Sequence, residues 1–529
     1  MEKRKEPESS SPSQGVILAM MSTSKIVFKT YTPKQILLVP PSFDELIEPN
    51  HPVRVVDQVV DQLDLELLIK KYKGGGTSSY HPRMLLKVLV YSYLNNIYSS
   101  RKMEEALKQN VHFMWLSGMN TPDHNTLNRF RSDKLKNVLK KIFSQVVLLL
   151  SEEGLVSLKT VFIDGTKIEA NANKYTFVWG KAIQRSKERI AQQLEDLWSY
   201  TESIAAEELG DSTELTFEKI DAEKVKKTIS AIEHALQDKP VDKKVKQKIN
   251  YAKKNWPSNL ERYEQHSQVL NNRNSFSKTD PDATFMRMKE DHMLNGQLKP
   301  GYNLQLSTND QYIVNYSLHP NSNDINTLKA HLSEYENIYE QVPDKAVADA
   351  GYGSEENYIY LEEKGIEGYV KYNHFDKEQK KKKKEDPFAV EALYYDQQHD
   401  RYFCPMGQPM ERINDRKRTT ATGFVQNNKR YRAVRCEGCP LRATCFKGQY
   451  DRVIEVNTNL NRLKSKARER LTSEMGIKLR KKRCYDVEPV FGNIKQNKKF
   501  KRFNLRGNEK VEIEIGLIAI ALNLKKKAA

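Results

Sequence analysis

The sequence predicts an α/β chain in which a helical N-terminal region precedes strands that end on carboxylates. Three observations carry this. Apolar residues recur at three- and four-residue intervals up to about residue 150, as in "PRMLLKVLVYSYLNNIY". The pattern then switches at "LKTVFIDGTKIEANANKYTFVWGK", where a β-rich run, Val161 to Ile163, meets Asp164-Gly165. A hairpin, a helix and a second short strand follow, and that strand ends on Asp349.

The helical region spans 44–150 and includes "VRVVDQVVDQLDLELLIKKY", "SRKMEEALKQN" and "DKLKNVLKKIFSQVVLLLSEE". Within it, "TPDHNTLNRFR" offers Thr121, Asp123 and Asn125 as caps of a short helix that exposes Arg129 and Arg131, a weak helix-turn-helix signal and a candidate for reading DNA. Residues 181–270 return to charged helical periodicity and read as an insertion of two or three long helices. In "GYNLQLSTNDQYIVNYSLHP", two alternating runs around Asn309-Asp310 predict a hairpin. "INTLKAHLSEYENIYEQV" predicts a helix, and "DKAVADAGYGSEENYIYLEEKGIEGYVKYN" a strand, turn, helix and strand. The run "KEQKKKKKEDP" reads as a solvated loop, and 395–455 as a cysteine-bearing insertion. Last comes "YDVEPVFGNIKQNKKFKRFNLRG": if helical, Val487, Phe491 and Ile494 form a buried stripe, with Glu488 and Lys495 on a neighbouring face.

Composition narrows the function. With 529 residues the chain has room for two to four structural units, and 87 Lys plus Arg against 69 Asp plus Glu give a net charge of +18, which favours a polyanionic partner. No apolar run approaches the ~20 residues that span a bilayer, so a soluble, cytoplasmic protein with no membrane partner is expected. The charged, Ser/Pro-rich start predicts a disordered tail over 1–30. Five cysteines, four of them Cys404, Cys436, Cys439 and Cys445, are too few and too clustered for a secreted disulfide framework.

Asp164, Asp349 and Glu488 form the central constellation. Each alone has a plainer reading: a turn former, a cap, a surface charge. Neighbouring strand ends in one sheet, joined by a later helix, bring three oxygen donors together. That is the arrangement two-metal phosphodiester chemistry needs.

These blocks resemble those of DDE-type bacterial insertion-sequence transposases. The N-terminal likeness lies in "HPRMLLKVLVYSYLNNIYSSRKMEEAL" and "PDHNTLNRFR", and the acids lie in blocks like "FIDGTKIEANANKYTFVW", "ADAGYGSEEN" and "VEPVFGNIKQN", with "KTDPDATFMRMKE" and "PGYNLQLSTND" between. The resemblance implies a ribonuclease H-like catalytic domain over 155–529, with the helical and cysteine-rich insertions inside it and a DNA-binding domain at 44–150. It implies that Asp164, Asp349 and Glu488 hold Mg²⁺ (or Mn²⁺), Asp164 bridging two ions. Lys495, Lys498, Lys499 and Arg502 are then expected on the DNA backbone. Substrates would be double-stranded transposon ends and target DNA, held by a homodimer in the DNA complex. Relatives often carry a Tyr-Arg-Glu-Lys signature around the third acid; here Cys484 stands at the Arg position and Arg483 one residue earlier, which leaves the Arg role unassigned. A cysteine block like "CEGCPLRATC" is also common in this branch. The Cys436-x₂-Cys439 pair, with Cys445 and Cys404, suits a structural Zn²⁺, the other reading being reduced, partly buried thiols. Two rival functions stay open: a non-enzymatic DNA-binding regulator derived from a transposase, and a metal-dependent nuclease that cuts without joining.

Overall fold

The computed structural model describes residues 42–72, 79–209, 217, 219–271, 273–288, 296–379 and 386–529. The expected tail over 1–30 and the centre of the Lys run lie outside the described residues. The chain divides into two units, 1–46 and 47–529, and of the first only 42–46 are described.

The second unit begins with helices α1 (Pro52–Gln62), α2 (Pro82–Leu94), α3 (Ser100–Gln109), α4 (Val111–Ser117), α5 (His124–Arg129) and α6 (Leu139–Glu152). A His-Pro pair starts both α1 and α2. Proline at the first position needs no N–H partner, and the preceding imidazole accepts a backbone N–H, from Val53 to His51 and from Arg83 to His81, each at 3.2 Å. Asp123 caps α5 through the Thr126 N–H at 2.8 Å.

Strand β1 (Thr160–Glu169) opens the sheet. Between it and the rest of the sheet lie β2 (Phe177–Trp179), the long helices α7 (Gly180–Leu209), α8 (Ala222–Ala235) and α9 (Lys243–Leu270), then β3 (Ser275–Ser277). The three helices bury their own cluster, including Leu194, Trp198, Ile229, Ile232, Trp256 and Leu260. β2 and β3 pair as a stem beneath them, Trp179 opposite Ser275.

The main sheet is completed by β4 (Thr284–Arg287), β5 (Leu298–Asn309), β6 (Tyr312–His319), β7 (Lys345–Ala348) and β8 (Glu367–Val370). β5 runs antiparallel between β1 on one side and β4 and β6 on the other; β7 lies parallel to β1, and β8 parallel to β7. Helices α10 (Leu328–Tyr339) and α11 (Glu355–Glu363) connect β6 to β7 and β7 to β8. The β5–β6 turn is centred on Asp310-Gln311, both at positive φ (48° and 61°), the geometry a two-residue hairpin favours.

After β8 the chain builds a separate antiparallel sheet from β9 (Tyr395–Asp396), β10 (Arg401–Phe403), β11 (Pro409–Thr419), β12 (Val425–Ala433) and β13 (Val453–Val456), in the order β13-β12-β11-β10-β9. It then returns through α12 (Thr458–Thr472), α13 (Glu474–Gly492) and α14 (Asn508–Lys527). α14 is buried nearly all round, because α2, α6 and β6 pack on its different faces. One hydrophobic core therefore runs through the N-terminal helices, the main sheet and α14. Asn523 on α14 accepts the Ile313 N–H and donates to the Ile313 carbonyl, both at 2.8 Å, satisfying backbone of β6 that no strand covers. No helix among the described residues is long and apolar enough to cross a membrane.

One sequence expectation needs correction here. β1 does not stop at Asp164-Gly165; it continues to Glu169, with Asp164 opposite Leu306 and Gly165 opposite Gln305. Glycine serves close approach rather than a turn, since a Cβ at residue 165 would lie 2.7 Å from an Asp324 oxygen.

Candidate active site

Two parallel strands set the first two acids side by side. Phe162 of β1 pairs with Val347 of β7, and Asp164 and Asp349 each stand two residues further on. They are therefore at matching heights on adjacent strands, about 4.8 Å apart in the sheet direction. Asp349 caps the short turn that ends its strand, accepting the Gly351 N–H at 2.8 Å.

The third acid comes from α13. The buried Asp486 carboxylate fastens that helix to the β5–β6 hairpin, accepting the Thr308 hydroxyl at 2.6 Å and the Gln311 N–H at 3.1 Å. Val487, Phe491 and Ile494 are buried, as their spacing predicts, which turns Glu488 toward the strand ends. Asp164, Asp349 and Glu488 line one open groove of about 440 Å³ with Thr166, Arg483, Gly492, Lys495 and Gln496. Glu488 sits in the last turns of α13, not near a helix start, so an N-terminal helix dipole does not explain it.

Arg483 occupies the middle of this groove. Its guanidinium lies 3.3 Å from Asp164 and 3.6 Å from Glu488, with its side chain only 13% exposed. Thus a guanidinium does reach the acids, from the residue before Cys484. Sequence reasoning noted Arg483 but gave it no role, because register along one helix does not reveal which arginine the neighbouring strands will meet.

A buried polar network lies behind Asp164. Asp324 accepts from the amides of Asn303 (2.8 Å) and Gln305 (2.9 Å), and the Tyr352 hydroxyl donates to the Gln305 side-chain oxygen. Burial pushes the Tyr352 hydroxyl well above its ordinary pKa, with Asp324, Asp164 and Asp349 adding to the shift and Arg483 opposing it. Tyr352 is therefore a neutral donor that fixes Gln305 and, through it, Asp324. The signal for this network was the alternation of Asn303 and Gln305 on a strand buried along most of its length.

The basic residues divide. Lys495 lines the groove, Lys499 is exposed, and Arg502 is exposed but donates to the Ala170 carbonyl at 3.2 Å beyond the end of β1. Arg129 is exposed at the end of α5. Two expectations of exposure are overturned. Lys498 is 2% exposed and its ammonium donates to the Leu94 carbonyl, one of the acceptors that the end of α2 leaves unpaired. Arg131 is 4% exposed, bonded to the Tyr93 hydroxyl at 3.2 Å, the Tyr98 carbonyl at 2.8 Å and the Asn128 side chain at 3.1 Å, with the buried Glu514 carboxylate nearby. Neither side chain is free to meet DNA in this fold. Trp179 packs against Phe177 and Phe285.

The four clustered cysteines line a single hollow of about 30 Å³ with Phe446 and Arg452. Arg452 donates its backbone N–H to the Cys436 sulfur at 3.3 Å and its guanidinium to the Cys445 sulfur at 3.0 Å. Among the described residues, no three acids, histidines or cysteines stand close enough together to hold one ion. Of the three acids, Asp164 and Glu488 are each paired with Arg483.

Comparison with known proteins adds an independent line. Residues 403–528, which include the cysteines and Glu488, match the family described as "Transposase DDE domain"; residues 41–133 match "Transposase domain (DUF772)". Probable transposases for the insertion sequence element ISH11, from two strains of Halobacterium salinarum, are 33% identical over 98 residues. That stretch is 18% of this chain and 28% of each relative, so the chain matches well under two thirds of their length. No solved structure matches the chain.

Proposed function

We propose that the chain is a DDE-type insertion-sequence transposase, which binds the inverted-repeat ends of its own element and catalyses Mg²⁺-dependent hydrolysis and strand transfer there, a reading supported by the two transposase family matches. The observation that carries the reading is the meeting of Asp164, Asp349 and Glu488 in one groove, two from adjacent parallel strands and one from a later helix. Strand order and direction, β6-β5-β1-β7-β8 with only β5 reversed relative to its two neighbours β1 and β6, support a ribonuclease H-like catalytic core.

The donor chemistry fits a hard divalent cation: three carboxylates facing an open groove leave room for water and phosphate oxygens. When bound, two such ions supply activation of the attacking oxygen and stabilisation of the leaving one. The chain's own groups do the rest. Asp164 and Asp349 are fixed by the sheet, and Glu488 is fixed by Asp486 and the apolar face of α13. The Arg483 guanidinium neutralises Asp164 and Glu488 when no other cation is near, and it moves onto the phosphate when one enters. Lys495 donates to the DNA backbone beside it without competing for metal. Cys404, Cys436, Cys439 and Cys445 are the residues that would hold a structural Zn²⁺, with Arg452 donating to the Cys436 and Cys445 sulfurs. A homodimer holds the two ends together for paired cutting.

The deciding experiment is cleavage and joining on duplexes carrying the ends that flank the gene, with Mg²⁺ or with chelator, comparing wild type with Glu488→Gln. The variant is expected to bind DNA but to cut and join at least roughly a hundredfold more slowly, since charge stabilisation by a metal site is worth several kcal/mol. Cutting without joining by wild type would make the protein a nuclease. Binding without cutting would make it a regulator.

A further inference from the structure

We propose that the β11–β12 ribbon is a second DNA-binding arm, which lies in a groove of the duplex beside the scissile end. The inference rests on the transposase reading above and adds a contact surface to it.

The ribbon outgrows its sheet. β10 pairs with β11 only at Pro409 and Met410, and β13 pairs with β12 only from Lys429 to Arg432. Past those points β11 and β12 pair with each other alone, as far as Thr419 opposite Val425. A two-stranded ribbon alone is marginal in water, and beyond the sheet this one is held by side-chain contacts at its tip. The single irregularity in its register falls between Arg412 and Asn414, and a bulge there increases the local twist.

Its composition suits a nucleic acid. Between Pro409 and Ala433 stand seven basic residues, Arg412, Arg416, Lys417, Arg418, Lys429, Arg430 and Arg432, against Glu411 and Asp415. Every residue from 411 to 419 is exposed. Near the root the charges are spent within the protein: Arg412 pairs with Asp400 and Asp415, and Arg416 and Arg430 with Glu455. Toward the tip they are not. Among the described residues Lys417 and Arg418 have no ion pair, and across the ribbon from Lys417 stands the exposed Asn427. Arginine, lysine and asparagine are the side chains that grip phosphates and read base edges, and a two-stranded ribbon fits the ~12 Å width of the major groove.

The ribbon is also aimed. Gln426 donates to Glu355 at 3.2 Å and Thr422 donates to Glu356, so its tip is tethered to α11, the helix that follows Asp349. Asn457 and Asn459 hold the same Glu355 carboxylate at 2.6 and 3.0 Å, which makes the tether a fixed point and not a surface accident. The plainer role of such charge, keeping an open edge strand from pairing with other chains, needs repulsion but no tether.

The test measures binding of the full chain to an end-bearing duplex across a salt series, in buffer without added divalent metal. Lys417→Glu with Arg418→Glu is compared with wild type and with the same reversal at Lys243 and Lys244, exposed residues at the start of α9 in the helical insertion. The ribbon variant is expected to bind at least about tenfold more weakly, with the slope of log affinity against log salt reduced by about 2, while the control follows wild type. The milder pair Lys417→Gln and Arg418→Gln is expected to show a smaller loss in the same direction, which guards against an effect on folding. If both ribbon variants keep wild-type affinity and slope while wild type binds, the arm is refuted and the transposase reading stands. If wild type binds no duplex DNA at all, that reading fails and the arm with it.

Discussion

Arg483 is the residue that links two of the three acids in the groove, and the proposed chemistry turns on it. A guanidinium between two carboxylates keeps them from repelling each other, and under the proposed reaction it would also be a preorganised donor for a developing phosphate charge. Arg483→Gln is expected to slow strand cleavage roughly 10²-fold, the usual cost of one such donor, with DNA affinity retained. Unchanged cleavage with a lower unfolding midpoint would make Arg483 a spacer only. At this scale the sequence was legible in part. The three acids singled out in the sequence line one groove, and for the two on strands a shift of one residue would turn the carboxylate to the other side of the sheet. Burial of long cationic side chains was not legible. Arg131 and Lys498 look like exposed helix charges until Tyr93, Glu514 and the end of α2 close over them, and those partners come from distant parts of the chain.

Among the elements, the layer between β5, β6 and α10 hides a pair of histidines. His331 sits between the Ser307 and Ser317 hydroxyls at 2.7 and 2.6 Å, and His319 contacts Ser317 at 2.8 Å. Burial holds His331 far below its ordinary pKa, with His319 and Lys140 adding to it; burial also lowers His319 to about 4, against a pull upward from Asp324. Below about pH 6.5 the unfolded chain takes up protons that the folded chain refuses, so stability falls as pH drops from 6.5 toward 4. Denaturant midpoints are expected to decline across that window in wild type, and less steeply in a His319→Gln, His331→Gln double variant. The cysteine sheet carries a different prediction. Purified protein should contain one Zn²⁺ per chain, and removal of the metal should lower the unfolding midpoint while freeing thiols for titration. A metal-free protein with the same midpoint would leave the cysteines as packed thiols. Spacing of the cysteines announced that they belong together, but nothing in their sequence announced the β11–β12 ribbon, whose residues alternate too little in hydrophobicity to read as a strand.

Across the second unit, the N-terminal helices and the main sheet share one core, closed by α14. The helical periodicity showed that helices would form; it could not show that α14 would be wrapped by α2, α6 and β6, since a helix apolar on every face gives no direction to its partners. The chain carries a net charge of +18, so sequence-independent DNA affinity is expected to fall with salt, with the ribbon accounting for only part of the slope. The helical insertion stands apart from that arrangement. It leaves the body at Trp179 and re-enters at Ser275, residues that face each other across the β2–β3 stem, and its apolar side chains are satisfied among themselves. A segment whose two ends already touch can be lengthened, trimmed or exchanged at little entropic cost, because the stem has closed the loop beforehand. The stem thus works as a port at which a cassette can be changed, while Asp164, well upstream on β1, keeps its place.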